Sequence, residues 1–110
     1  NGHMVRGRPY SVFYAPVTRG HVRALRRRDF AIVKSAIEAN LFNEPTKETA
    51  NRRPLAPTTE LEAEWELRCG PKNRFRVFYS VDESLRQVYV VAIGVKRGNR
   101  LKVGSVEVSL

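Results

Sequence analysis

The stretch "WELRCGPKNRFRVFY", Trp65 to Tyr79, decides the reading of this chain. Two runs rich in strand-forming residues flank Gly-Pro-Lys-Asn, the composition of a β-hairpin. Period-two alternation puts Trp65, Leu67 and Cys69 on one face, beside Phe75, Val77 and Tyr79 of the next strand. The opposite face then carries Glu64, Glu66 and Arg68, with Arg74, Arg76 and Phe78 next to them. A half-buried strand more often holds threonine or valine where these arginines stand. One reading of this face is a set of cross-strand ion pairs on a solvated sheet, each worth a few tenths of a kcal/mol. The other is an open basic surface that grips phosphates through paired guanidinium hydrogen bonds.

Composition favours a polyanionic partner. The 110 residues hold twenty Lys+Arg against eleven Asp+Glu, a net charge of +9. Such a surface suits RNA, DNA, a ribosome or an acidic protein, and net charge alone does not choose among them. Hydrophobic residues at 42% and charged residues at 28% fit a globular domain and argue against disorder. The opening "NGHM", residues 1–4, reads as an expression-tag remnant and leaves one domain over residues 5–110. The opening carries no secretory pattern and the longest apolar run, Val88 to Ile93, is too short to span a bilayer. No membrane association is expected, and the expected compartment is the cytosol. A single cysteine excludes an internal disulfide and a multi-thiolate metal site within one chain, so neither metal nor other cofactor is expected.

Outward from the hairpin, Tyr10 to Ala15 reads as a strand that Pro16 ends. Thr18 is a candidate cap for a short helix through Val22 and Leu25. After "RRRD", with Asp29 as the second cap, Phe30, Val33, Ile37 and Leu41 keep the three-and-four spacing of a helix face. Pro45 stops it. Thr46 to Thr59, punctuated by Pro54 and Pro57, reads as a loop. In "ELEAEWELR", Glu60, Glu62, Glu64 and Glu66 recur at period two, the signature of one strand with four carboxylates on one face. "VYVVAIGV" reads as a central strand covered on both sides, and "VEVSL" as a last, alternating one. The expected fold class is α+β: two N-terminal helices, a helical hairpin, packed on a small, mainly antiparallel sheet of four or five strands.

The ordered words "NRRPL", "WELR", the glycine turn, "RFRVFY", "VDE" and "IGVK" resemble the RelE/ParE superfamily of bacterial type II toxin–antitoxin toxins. The resemblance runs from Tyr10 to about Lys102. It implies a toxin held inactive by a partly disordered, acidic antitoxin. RelE-like members cut mRNA on the ribosome without a metal, the 2′-hydroxyl attacking the neighbouring phosphate. By resemblance Arg76 contacts the scissile phosphate, Lys96 stands near a basic or histidine position of the next strand, and Arg68 closes the "ELR" strand. Arg53 matches the basic loop residue. The chain departs from that pattern where Glu64 and Glu66 replace lysines and where no tyrosine or histidine follows the last strand. Glu66 is therefore the candidate base, oriented by Arg76 and Arg68, or else an exposed, paired glutamate.

Further expected RNA contacts are Arg74, Arg97 and Arg100. Arg23, Arg26 and Arg27, in the arginine-rich "RGHVRALRRR", are the expected antitoxin contacts, or the solvated side of the helices. His21 reads as a surface histidine, Cys69 as a small core residue, and Trp65, Tyr10, Tyr14, Tyr79 and Tyr89 as core or antitoxin contacts. The function expected from all this is a ribosome-dependent mRNA interferase that inhibits translation, with ribosome, mRNA and antitoxin as partners. The alternatives are a ParE-like, non-enzymatic inhibitor of DNA gyrase and a catalytically inactive binding protein of the same fold.

Overall fold

The computed structural model describes residues 9–56 and 61–108. The expectations for residues 1–4 and for Glu60 lie outside them. Ten elements follow one another: β1 (Ser11–Tyr14), α1 (Thr18–Arg23), α2 (Arg27–Leu41), β2 (Arg52–Pro54), β3 (Trp65–Cys69), a 3-10 turn (Pro71–Asn73), β4 (Phe75–Asp82), β5 (Gln87–Arg97), β6 (Arg100–Val103) and β7 (Val106–Val108). Six strands lie in the order β2-β3-β4-β5-β6-β7, each antiparallel to its neighbour, and β1 joins β5 in parallel.

This overturns the expected fold class. The described residues are mostly β: one seven-stranded sheet with a single long helix and a six-residue one, not a helical hairpin on four or five strands. The reason is local. Arg26 adopts an extended conformation (ψ 153°) between the helices, so α1 stays a single short turn of chain too small to build a helical layer. The two strands the pattern did not show are β2, three residues inside the stretch expected as a loop, and β6, four residues that follow directly on the β5 turn.

Helix α2 arises as its spacing predicts. Val33, Ile37 and Leu41 are wholly buried and meet Leu67, Cys69, Phe75, Val77 and Tyr79 in one core. Neither expected cap forms. Asp29 sits in the first turn of α2 rather than at its N-cap, which is Arg26, and Thr18 lies inside α1, its hydroxyl donating to the Ala15 carbonyl at 2.7 Å. Tyr79 passes through the core and its hydroxyl donates to the Pro45 carbonyl at 2.6 Å, tying the chain after α2 to the sheet. No helix among the described residues is long and apolar enough to cross a membrane.

Strand β5 organises the sheet. Its pairing with β4 shifts at Phe78/Tyr79, where Phe78 faces Ala92 and Tyr79 faces Val90, leaving Val91 as an extra residue. The bulge lets Val88 and Val90 on one side of it, and Ile93 on the other, all reach the helix-covered core. Phe78, Ala92, Leu101 and Val103 form a second, smaller core on the opposite face, with Leu61 and Ala63 of the chain that precedes β3. Along its other edge β5 is shared: β1 pairs Gln87 to Val90 and β6 pairs Gly94 to Arg97. In the gap the Ile93 N–H donates to Nδ1 of His21 at 3.2 Å, so a side chain from α1 completes the ladder. The histidine expected on the surface is a half-buried structural acceptor, and burial lowers its pKa.

The four-glutamate strand does not form. Glu62 has φ +53° and β3 begins only at Trp65, so among the described residues of the row Glu66 alone is a strand residue. Glu64 instead accepts the Val81 N–H at 3.1 Å.

Candidate nucleic-acid interface

Glu66 occupies the centre of β3, between Arg53 of β2 and Phe78 of β4. Alternation turns it away from the helix-covered core, yet it is 0% exposed. Three guanidinium groups cover it. Arg53 Nε donates to Oε1 at 2.8 Å, Arg68 Nε reaches the same oxygen at 3.4 Å, and Arg76 Nη1 donates to Oε2 at 3.0 Å. Burial by itself raises the Glu66 carboxyl, but the hydrogen bonds and charges of Arg53 and Arg76 outweigh it and hold the carboxyl below its ordinary value. The cluster keeps two uncompensated positive charges, since three arginines share one carboxylate.

Both alternatives for Glu66 change on this geometry. It is not the exposed glutamate of a surface pair, because it has no solvent access. A base must reach the proton it takes, and both of its oxygens are already accepting from arginine. Its position makes it an anchor that fixes the arginines. Arg76, expected as an exposed strand residue, is 6% exposed, with Nε donating to the Asn73 carbonyl at 2.9 Å and Nη1 to Glu66. The hairpin turn supplies that carbonyl. Gly70 turns the chain at φ +80°, where a Cβ would stand 2.3 Å from the Phe75 ring, and Lys72 and Asn73 follow in the left-handed region.

Arg76 opens into a cleft of about 390 Å³ between this turn and the β5–β6 turn, lined by Lys72, Arg74, Arg76, Lys96 and Arg97. Five cationic side chains converge there, and no carboxylate or histidine is among the described residues that line it. Arg74 comes to it from the helix side. Its Nη2 stands 3.7 Å from Asp29 Oδ1 at the start of α2, its guanidinium lies 4.9 Å from the centre of the Phe75 ring, and its Nε is buried without a hydrogen-bond partner among the described residues.

The expected site residues therefore fall into separate groups. Arg74, Arg76, Lys96 and Arg97 share the cleft, while Arg53 and Arg68 cover the buried Glu66 in a cluster that adjoins it through Arg76. Arg100 is exposed and lines a different cavity, under α1. Arg23 lies at the end of α1 beside an apolar groove of about 380 Å³ floored by Tyr14, Val22 and Phe30, whereas Arg26, between the helices, and Arg27, the first residue of α2, are exposed. Cys69 is buried in the main core, where burial pushes its thiol up to about 11. Lys72 and Asn73 were missed in the sequence. Their signal is the Gly-Pro-Lys-Asn turn itself, whose backbone carbonyl orients the arginine three residues on.

Among the described residues no cluster of three or more histidine, cysteine or acidic side chains could hold a metal ion. Compared with known families, curated proteins and solved structures, the chain matches none of them.

Proposed function

We propose that this chain is the toxin of a type II toxin–antitoxin module, a cytosolic inhibitor of translation whose cleft holds a phosphodiester of mRNA on the ribosome. The observation that carries the reading is the convergence of Lys72, Arg74, Arg76, Lys96 and Arg97 on one cleft whose lining holds no carboxylate, with Glu66 and Asp29 pairing Arg76 and Arg74 from outside it. Like charges brought together in this way repel one another, and a phosphate relieves that repulsion. Arg76 is held by Glu66 and Asn73, so it meets a phosphate in a preset orientation instead of losing rotamer freedom on binding. The order of sequence words supports the toxin reading, and the net charge of +9 suits both an RNA target and an acidic antitoxin.

Cleavage is the stronger form of this proposal. The 2′-hydroxyl attacks phosphorus, the 5′-oxygen leaves, and the added negative charge on the phosphoryl oxygens meets the Arg76 and Arg74 guanidinium groups. Water takes the hydroxyl proton, and the Lys96 ammonium protonates the departing oxygen. The burial of Glu66 favours a second reading in which the protein binds RNA without cutting it.

The test is primer extension on a defined mRNA in a translating extract, with wild type, Lys96→Gln and Arg97→Gln. New 3′ ends from the wild type and at least about tenfold fewer from Lys96→Gln support cleavage. Arrested translation without new ends, weakened by both variants, supports binding alone. Absence of both effects, with gyrase supercoiling blocked, replaces this proposal by the gyrase alternative.

A further inference from the structure

A second cavity, of about 450 Å³, lies between α1 and the β5–β6 hairpin, and Arg97 lines both it and the cationic cleft. Its floor is the helix-covered face of the sheet, Ile93 and Val95, and Ala24 and Leu25 form one wall. Cross-strand pairing sets Arg100 opposite Arg97 and Lys102 opposite Val95, so these cations stand on the same face as the floor and rim the space. His21 forms the remaining wall. Its Nδ1 accepts the Ile93 N–H, so the neutral ring carries its proton on Nε2, a donor that no described residue uses. Burial lowers the His21 pKa and favours that neutral ring. An apolar floor, one oriented N–H donor and a cationic rim suit a flat, partly apolar ligand that bears hydrogen-bond acceptors and negative charge.

We infer that this cavity takes the base of the RNA nucleotide next to the phosphate held in the cleft, with Arg97 bridging the two. The inference rests on the RNA reading above and adds a subsite for a base to it. A base lies on the apolar floor, a ring nitrogen or carbonyl oxygen accepts from His21 Nε2–H, and Arg100 and Lys102 meet the following phosphate.

The experiment compares two fluorescein-labelled probes by anisotropy at fixed salt: a four-nucleotide oligo-uridylate and the same ribose-phosphate chain without bases. Ala24, exposed at the end of α1 with ordinary helical angles (φ −78°, ψ −7°), is the position at which to fill the cavity. Ala24→Phe should weaken oligo-uridylate binding about tenfold and leave the abasic chain within about twofold. Ala24→Met is the milder filler and should fall between Ala24→Phe and wild type. Lys96→Gln should weaken both probes alike, because it removes a phosphate contact. Equal binding of oligo-uridylate by wild type, Ala24→Phe and Ala24→Met, with Lys96→Gln still weakened, overturns the base subsite and leaves the RNA reading standing. Binding of neither probe by the wild type overturns both.

Discussion

Arg76→Ala is expected to destabilise the fold, because this strand residue is buried against Glu66. The substitution removes the donor to Glu66 Oε2, the most buried of the three pairs, with 7% and 0% of the two side chains exposed. Breaking a buried ion pair from one side costs about 3–5 kcal/mol, because the remaining charge is left without its partner. Here Arg53 and Arg68 still donate to Oε1, so the lower end applies. The Asn73 carbonyl also loses its guanidinium donor, but Asn73 is exposed and water can replace it, so the total stays at about 3 kcal/mol. A domain of this size has about 5–15 kcal/mol in all, so the melting temperature should fall by about 10–15 °C. Urea and thermal unfolding followed by far-ultraviolet circular dichroism measure it. Replacing both partners by apolar residues of similar shape, Glu66→Leu with Arg76→Met, should recover most of the loss, since Arg53 and Arg68, left without the carboxylate, are 49% and 27% exposed and reach solvent. Arg76→Ala within about 0.5 kcal/mol of wild type would refute the reasoning, for it would mean that Glu66 is solvated. Activity measured on Arg76→Ala is thus confounded by stability, which is why Lys96 and Arg97, nearer the solvent, carry the functional tests.

Two further outcomes follow from the same core. Glu66 has a folded-state pKa lowered from 4.5, so its contribution to stability is complete above that value and is lost as pH falls through the folded pKa. Acid titration of unfolding should show a steep fall below about pH 4.5 that is shallower in Glu66→Gln, and identical slopes would refute the anchor role. Cys69, 6% exposed and with its thiol raised to about 11, should resist alkylation by iodoacetamide at about pH 8 in the native protein and react once unfolded in urea, as mass spectrometry would show.

The contrast between Val33 and Glu62 shows how far the sequence reaches. By itself it determined what depends on neighbours in the chain. Val33, Ile37 and Leu41 fall on one face at helical spacing in any helix, and they are buried. Trp65 to Tyr79 alternates around a glycine turn, and its two faces separate as the alternation requires, Leu67 and Val77 into the main core, Glu66 and Arg76 onto the other face. Arg68 and Arg76 interrupt the strands because the buried Glu66 carboxylate collects them. Tertiary structure decided the rest. Period-two glutamates make a strand only where a partner offers its backbone, and Leu55 and Val81 meet Glu64 by isolated hydrogen bonds instead of a ladder, so the row breaks at Glu62. The sheet extends to seven strands because three-residue segments such as Arg52–Pro54 become strands only when Leu67 and Trp65 present free edges to them. The burial of Glu66 has the same origin. Arg53, thirteen residues away, and Arg76, ten away, close over it only after β2 and β4 have paired on either side of β3. No window of sequence contains both pairings, and the desolvation that turns a surface glutamate into an anchor exists only when they are made together.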